Sequence, residues 1–293
     1  MFLQGINTAL ITPFDGNRID EAALKALVRA QIAAGVHGLI ACGTTAETPA
    51  LSEGEFDQVV KLVVDEVAGR VPVIAGTGTN NLDETLDRTH RARRVGADAA
   101  LVVTPYYNKP QQEGMFQHFS RVAAEGGLPV VLYNVPGRTG VNLLPETVIR
   151  LSHVPNIVAV KEASGSVGQA RDIVAGVKPD FAVISGDDGL FLPTLAVGGR
   201  GVISVASNVA PGPLVALWNA WQAGRVIEAA TIDRMLAPLY RALFVESSPV
   251  PVKAAAQLLG ICTDAVRLPL VAASPKTCEA VKAALAAAGV GGA

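Results

Sequence analysis

Short apolar segments that do not alternate with polar residues recur along the whole chain. They are rich in valine, isoleucine and alanine and end at glycine or polar turn residues. This pattern is typical of strands that are buried on both faces of a sheet. The eight predicted strands are Ile6–Ile11, Gly38–Cys42, Val71–Ala75, Ala99–Val103, Pro129–Leu132, Ile157–Val160, Phe181–Ile184 and Gly201–Val205.

Amphipathic helical patterns lie between most of these strands. Asp20 is a candidate N-cap for the first, and Ser52 with Glu55 has the spacing of a capping box for the second. The predicted helices are Asp20–Ala34, Ser52–Ala68, Leu82–Val95, Gln111–Ala124, Pro145–Leu151, Ser166–Val177 and Asp188–Val197. Continuous alternation of buried strands and helices predicts a parallel sheet. Eight units favour closure into an α/β fold, the (β/α)8 TIM barrel.

An open, doubly wound sheet is the alternative architecture. Its dinucleotide fingerprint is missing, because the segment after the third strand, Gly76–Asn81, has the first two glycines of GxGxxG but not the third. Residues 1–222 are therefore predicted to form the barrel. Residues 223–293 are rich in alanine and helix-like, and we expect them to form a C-terminal helical extension packed on the barrel, since no Gly, Ser or Pro linker separates the two.

Composition and charge exclude several classes of protein. The chain has 293 residues, of which 50% are hydrophobic and 17% are charged, which suits a buried parallel sheet covered by helices. A formal net charge of −2 provides no electrostatic surface for nucleic acid. The longest uncharged segment, between Gly201 and Gly224, contains polar residues and prolines, so no membrane association is expected. No basic residue precedes Arg18, so the sequence predicts no secretory signal and a cytoplasmic location.

Cysteine and histidine residues do not form a metal-binding pattern. The three cysteines show no CxxC spacing, and the four histidines are scattered without HxH or HExxH. We expect no metal and no cofactor. The cysteines are interpreted as small hydrophobic side chains in a reducing compartment.

Polar residues collect where the predicted strands end. In a TIM barrel the carboxyl ends of the strands form the rim that carries the active site. Each position also has a structural explanation, since threonine and serine commonly cap the helix that follows. The rim residues are Thr12, Gly43–Thr45, Gly76–Thr77, Thr104–Tyr107, Tyr133–Asn134, Lys161–Glu162, Ser185–Asp187 and Ser204.

Lys161 is the most informative of these residues. It follows the apolar segment Ile157–Val160. Burial disfavours the charged form of a lysine side chain, and a neutral amine is a nucleophile toward carbonyl carbons. A lysine whose stem lies on the strand while its amine reaches water is the alternative, and this segment alone favours it. The polar rim as a whole favours the nucleophile.

Four further rim residues and one residue of a nearby loop carry candidate chemistry. Thr44 and Thr45 follow a glycine in a turn suited to a small carboxylate. Tyr133 and Tyr107 have phenols that can relay protons if they lie near the reacting atoms. Arg138, on a Gly-rich loop, can bind an anionic substrate through two parallel hydrogen bonds. Ordinary turn residues, an interior tyrosine and a surface arginine are the structural alternatives.

The chain resembles the dihydrodipicolinate synthase family, which lies among the pyruvate-dependent Schiff-base aldolases that include N-acetylneuraminate lyase. The resemblance covers the whole chain, and its most specific segment is Tyr133–Gly140, with the pattern Tyr-Asn-x-Pro-x-Arg-Thr. The other matching segments are Ala9–Phe14, Gly43–Thr48, Val73–Gly78, Thr104–Pro110, Val160–Ala163, Ser185–Asp188 with Leu190, and Pro249–Lys253.

The resemblance implies condensation of pyruvate with aspartate semialdehyde to 4-hydroxy-tetrahydrodipicolinate, the first committed step of diaminopimelate and lysine biosynthesis. Lys161 matches the Schiff-base lysine. The matching proton-relay residues are Tyr133, Thr44 and Tyr107, the last supplied by a neighbouring subunit. The matching substrate-binding residues are Thr45 for the carboxylate of pyruvate, Arg138 for that of the second substrate, and Gly186 and Ile203 lining the site. A homotetramer built as a dimer of dimers is also implied.

Some positions depart from the family pattern. Ala46 replaces a glycine, which is tolerated if the backbone there is not left-handed. Ser247–Ser248 replaces the more usual Pro-Asn, on the side of the second substrate. Residues matching a lysine-effector site, Asn80, Glu84 and Tyr106, are present. Glu53 and Phe56 stand where that site uses basic or histidine side chains, which predicts weak feedback by lysine. An aldolase acting on a sugar acid or hydroxy-oxo acid is the alternative function.

Overall fold

A computed structural model describes residues 3–291 of the chain. Its strands are β1 (Gly5–Ala9), β2 (Phe14–Asp15), β3 (Arg18–Ile19), β4 (Gly38–Ala41), β5 (Val73–Gly76), β6 (Ala99–Val103), β7 (Val130–Asn134), β8 (Ile157–Glu162), β9 (Ala182–Ser185) and β10 (Gly201–Ser204). Strands β2 and β3 form a small antiparallel sheet. The other eight close a barrel in the order β1-β10-β9-β8-β7-β6-β5-β4, and the fold is the predicted TIM barrel.

Helices follow the barrel strands. They are α1 (Glu21–Ala33), α2 (Glu53–Val67), α3 (Leu82–Arg94), α4 (Gln112–Glu125), α5 (Pro136–Thr139), α6 (Pro145–Ser152), α7 (Val167–Gly176), α8 (Phe191–Ala196), α9 (Pro211–Gln222), α10 (Val226–Ala242), α11 (Val250–Leu258) and α12 (Pro275–Ala287). Short 3₁₀ turns at Thr44–Ala46, Thr48–Ala50, Asp188–Leu190 and Ala206–Asn208 complete the connections.

Local sequence signals explain where the first helices begin. The Asp20 carboxylate accepts the backbone N–H of Ala23 at 2.9 Å, which satisfies one free donor of α1. At the start of α2, the Ser52 hydroxyl and the Glu55 carboxylate bond reciprocally to the backbone, so the predicted capping box is confirmed. The helix predicted over Asp188–Val197 is instead a 3₁₀ turn followed by α8.

The chain divides into two compact units. The first unit contains Pro72–Ile203 with the residues up to Gly5, and the second contains Ile6–Val71 and the residues from Ser204 onward. The first is packed around residues such as Phe119 and Phe191, both completely buried. In the second, α12 packs on α10 and α11. The predicted boundary at residue 222 between barrel and extension stays a prediction.

Neither a membrane-spanning helix nor a cluster of metal ligands is present in the described residues. Each helix between residues 3 and 291 lacks the length or the hydropathy needed to span a bilayer. In the same part of the chain, no three His, Cys, Asp or Glu side chains come together in an arrangement that could hold a metal ion.

Candidate active site

Lys161 and Tyr133 are paired across two neighbouring strands of the first unit. The pairing of β7 with β8 sets Tyr133 opposite Lys161, and the amine Nζ lies 4.2 Å from the centroid of the phenol ring. Both residues are buried, since Lys161 is 5% exposed and Tyr133 is 6% exposed. Within the described part of this unit the amine has no hydrogen bond and no ion pair. The lysine is therefore held by its stem and by an aromatic face, not by a carboxylate.

Gly186 leaves the space that the lysine stem occupies. A Cβ at this position would lie 2.7 Å from the Cβ of Ala163 and 3.1 Å from both Cγ and Cε of Lys161. The backbone N–H of Gly186 donates to the carbonyl of Glu162 at 2.7 Å. Gly186 therefore lies beside the lysine, while Ile203 is completely buried in β10. Their roles as lining residues stay predictions.

Replacing Gly186 with alanine is expected to displace the Lys161 side chain. The new Cβ would lie 2.7 Å from the Cβ of Ala163, which forces a shift there, and 3.1 Å from the Lys161 stem, which must yield by a few tenths of an ångström. We therefore expect kcat to fall by about 10- to 100-fold while the protein remains folded. Gly189→Ala is the matched control, since its Cβ would meet only the Asp187 carboxylate, at 3.5 Å. Steady-state kinetics of both variants provide the measurement, and equal activities would contradict the prediction.

A polar network lies at the next position along the same two strands. Asn134 pairs with Glu162, and its amide donates to the Glu162 carboxylate at 3.1 Å. The same carboxylate accepts the side chain of Gln169 at 3.1 Å and the backbone N–H of Ser164 at 2.7 Å. Asn142 bonds to both Asn134 and Gln169. Sequence reasoning placed Asn134 and Glu162 on the rim but assigned them no role. The signal was a pair of polar residues ending two consecutive strands.

Arg138 lies in the short helix α5, directly after β7, and is exposed. The Asn134 side-chain oxygen accepts the backbone N–H of Leu143 at 2.9 Å, so the polar network also anchors the segment that carries Arg138. Lys109 brings a second cation to this segment. Its side chain lies beside Gly140, where an added Cβ would be 3.1 Å from the Cε of Lys109. This segment can bind an anionic group.

Tyr107 is tied to the same segment through its backbone. Its N–H donates to the carbonyl of Thr139 at 3.3 Å, and its φ of 74° is unusual for a residue with a side chain. The side chain is 87% exposed. The loop of Tyr107 thus contacts the segment of Arg138 within the same chain, while the phenol faces outward. The role of Tyr107 in the site of a neighbouring subunit stays a prediction.

Two of the predicted effector residues, Asn80 and Tyr106, lie on neighbouring loops of the first unit, and the third lies in a helix. The Asn108 side chain donates to the carbonyl of Asn80 at 2.9 Å, and its own N–H donates to the carbonyl of Tyr106 at 2.9 Å. Glu84 is exposed in the first turn of α3. Asn108 therefore joins the segments of Asn80 and Tyr106, and Glu84 follows one turn away.

Thr44 and Thr45 belong to the second unit and form the 3₁₀ turn that follows β4. Thr48 donates its hydroxyl to the carbonyl of Gly43 at 2.8 Å, and Thr12 donates to the carbonyl of Ala46 at 2.9 Å. Thr45 is 4% exposed. The backbone at Ala46 is not left-handed, so alanine fits there in place of glycine.

Glu47 ends this turn and forms a buried ion pair that sequence reasoning missed. Its carboxylate lies 2.5 Å from the amine of Lys253, and its other oxygen accepts the backbone N–H of Arg267 at 2.8 Å. Burial lowers the pKa of Lys253, and the Glu47 carboxylate opposes that effect. The available signal was a lysine in the otherwise apolar run Pro249–Ala256.

Arg267 ties a second carboxylate to the same region. Its guanidinium bonds to both oxygens of Glu55, at 2.8 and 2.6 Å, and to the carbonyl of Ala50. The hydrogen bonds from Arg267 lower the pKa of Glu55 to about 2. The turn that carries Thr44 and Thr45 is therefore followed by a segment that is anchored by charged groups.

Comparison with known proteins gives one consistent family. The model of the dihydrodipicolinate synthetase family matches residues 2–288. The 4-hydroxy-tetrahydrodipicolinate synthase of Thermomicrobium roseum is 51% identical over 284 residues, covering 97% of this chain and 94% of that protein.

Solved structures agree with this result. The crystal structure of dihydrodipicolinate synthase from Thermotoga maritima superposes with a TM-score of 0.97 at 43% identity, covering 99% of both chains. That of the enzyme from Cyanidioschyzon merolae with lysine bound has a TM-score of 0.94 at 40% identity and covers 98% of each chain.

Proposed function

The chain belongs to the dihydrodipicolinate synthetase family, and from that premise we propose that it condenses pyruvate with aspartate semialdehyde to give 4-hydroxy-tetrahydrodipicolinate. The observation that carries the proposal is the buried amine of Lys161 against the ring of Tyr133. A lysine that is shielded from solvent and has no ion-pair partner within its unit is suited to covalent chemistry with a ketone. The reaction class is that of a lyase of the class I aldolase type.

The covalent steps follow from amine chemistry. The neutral Lys161 amine attacks C2 of pyruvate, and loss of water from the resulting carbinolamine leaves an iminium. Loss of a proton from the methyl group then gives an enamine. The enamine carbon attacks the aldehyde, whose oxygen takes up a proton. The amine of the second substrate finally attacks the imine carbon, closes the ring and releases Lys161. One water leaves per turnover.

These steps need protons to be delivered and removed at the reacting carbon. Tyr133 is the proposed proton carrier because its ring lies beside the Lys161 amine. The resemblance assigns Thr44 and Tyr107 to the same relay and Thr45 to the carboxylate of pyruvate. Gly186 makes room for the lysine, and the resemblance assigns the backbone of Gly186 and of Ile203 to the lining of the site. The iminium serves as the electron sink, so the scheme uses no cofactor.

Trapping the Schiff base tests this proposal directly. The protein is incubated with pyruvate and sodium borohydride, and the adduct is located by intact mass and peptide mapping. A pyruvate adduct on Lys161 that is absent from Lys161→Ala is the expected result, and the absence of any adduct would overturn the proposal. Turnover of aspartate semialdehyde measured against neuraminate and keto-deoxy-gluconate then separates the synthase from a sugar-acid aldolase.

Arg138 is proposed to bind the carboxylate of aspartate semialdehyde. Because a charge-assisted hydrogen bond contributes about 1.5 to 3 kcal/mol, we expect Arg138→Ala to raise the KM for the aldehyde by roughly 10- to 100-fold. The KM for pyruvate should change little. Arg171→Ala, another exposed arginine of the first unit, is the control. A variant with unchanged KM for the aldehyde would contradict the assignment.

The resemblance further implies a homotetramer in which Tyr107 reaches the site of a neighbouring subunit. The outward-facing phenol of Tyr107, held at a positive φ, supports that role. Sedimentation of the protein at assay concentration, together with the activity of Tyr107→Phe, tests it. A monomer with full activity would contradict this part of the proposal. The cytoplasmic location remains a prediction.

Lysine is expected to inhibit this protein weakly. Asn80, Glu84 and Tyr106 match an effector site, but the acidic Glu53 stands where a basic or histidine side chain would attract the carboxylate of lysine. We expect less than half of the activity to be lost at about 1 mM lysine. Glu53→His should strengthen inhibition. Half-inhibition of the unmodified protein at sub-millimolar lysine would contradict the prediction.

A further inference from the structure

The turn that carries Thr44 and Thr45 lies between two strained residues. Cys42 has a φ of 52° and Glu47 a φ of 56°, a left-handed conformation that residues with a Cβ rarely adopt. Strain of this kind persists only where surrounding contacts determine the conformation. The contacts that hold Cys42 and Glu47 therefore decide the geometry of the four residues between them.

Glu47 is held by groups that are distant in sequence and fixed in place. Its partner Lys253 is completely buried, donates to the carbonyl of Ala265 at 2.7 Å, and has its amine 4.1 Å from the ring centroid of Phe14. The second carboxylate oxygen is fixed by the backbone N–H of Arg267. Glu47 itself is 4% exposed. Neither charged group of the pair can move without losing a buried partner.

Stability alone does not explain a pair of this kind. Removing two charges from water costs free energy that their attraction often fails to offset, and apolar residues of similar volume pack as well or better. Burial indeed lowers the pKa of Lys253. Apolar residues would not orient the backbone in this way, because a carboxylate that lies between a fixed amine and a fixed backbone N–H has one position and one orientation. The pair is therefore suited to fixing the backbone at Glu47.

We infer that the buried Glu47–Lys253 ion pair is a positioning device for the Thr44–Thr45 turn and thereby sets the affinity of the protein for the carboxylate of the two-oxo acid. This inference rests on the proposed function, since it assigns the turn to that carboxylate. Glu47 and Lys253 are positioning residues and not catalytic ones. Their loss should weaken binding of one substrate and leave the covalent chemistry of Lys161 intact.

The test removes both charges together. Glu47→Gln/Lys253→Met keeps the side-chain volumes and leaves no uncompensated buried charge, so we expect it to fold. The KM for pyruvate should rise roughly tenfold or more, while kcat and the KM for the aldehyde change by less than about threefold. The control is Arg225→Met/Glu228→Gln, which removes an exposed pair of the same unit with a 2.6 Å separation.

A single variant keeps the inference testable if the double variant does not fold. Glu47→Gln alone keeps an oxygen that can accept the Arg267 N–H, and Lys253 can lose its proton because burial already favours the neutral amine. The same selective rise in the pyruvate KM is expected. Circular dichroism and thermal unfolding are used to verify folding of every variant.

Two results would overturn the inference. One is a folded variant whose KM for pyruvate is unchanged. The other is an equal loss in kcat and in both KM values, which would indicate general damage to the protein. Borohydride trapping separates these results from failure of the proposed function. Absence of a Lys161 adduct in the unmodified protein would contradict the proposed function. A normal adduct together with an unchanged pyruvate KM in the variants would contradict only the positioning role.

Discussion

Lys161→Ala is expected to fold normally and to lose nearly all turnover, with kcat reduced by roughly 10³-fold or more. The reason is that alanine has no group that can bond to the ketone, so the enamine never forms. Folding should survive because the amine has no ion pair within the described residues of its unit, and truncation leaves no uncompensated charge. Truncating the buried stem should still lower the free energy of unfolding by about 1 to 3 kcal/mol.

Kinetic assay and thermal unfolding of the variant measure the two halves of this prediction. Lys161→Arg is a second variant for the same test, because it keeps a long basic side chain beside Tyr133 but has no amine that can condense with a ketone. Lys276→Ala, at an exposed position of α12, controls for loss of a lysine as such. If a tenth of the wild-type rate survives in Lys161→Ala, the Schiff-base mechanism is wrong.

The second large effect is expected for Tyr133→Phe. The substitution removes only the phenol oxygen and keeps the ring that faces the Lys161 amine. General acid–base catalysis contributes about 10² to 10⁴-fold, so kcat should fall within that range. Formation of the borohydride-trapped adduct should slow in parallel, because the carbinolamine loses its proton donor. The KM for pyruvate should change little.

Tyr106→Phe provides the matched control for loss of a phenol hydroxyl in the same unit. Tyr106 matches the effector site and not the proton relay, so activity without lysine should remain near that of the unmodified protein. Single-turnover trapping with pyruvate separates adduct formation from later steps. A Tyr133→Phe variant that forms the adduct at the normal rate would assign the proton transfer to another group.

The order of elements could be predicted from the chain alone, because burial on both faces of a parallel strand leaves a continuous apolar run. All eight predicted barrel strands are present, several with ends shifted by one or two residues. The shift matters at Lys161, which lies inside β8 and pairs with Tyr133 on one side and Ile184 on the other. The β2–β3 hairpin and α5 were missed, since two- to four-residue elements carry almost no periodicity.

The sequence by itself determined the class of fold and singled out the candidate reactive groups, because apolar runs and short motifs are local properties. Only the tertiary structure decided how those groups are held. Glu47 meets Lys253, and Asn134 meets Glu162, through strand register and side-chain packing. Residues so far apart carry no mutual signal in one sequence. The physical reason is that a buried polar group must find its partner in space, and the folded backbone alone sets which one it meets.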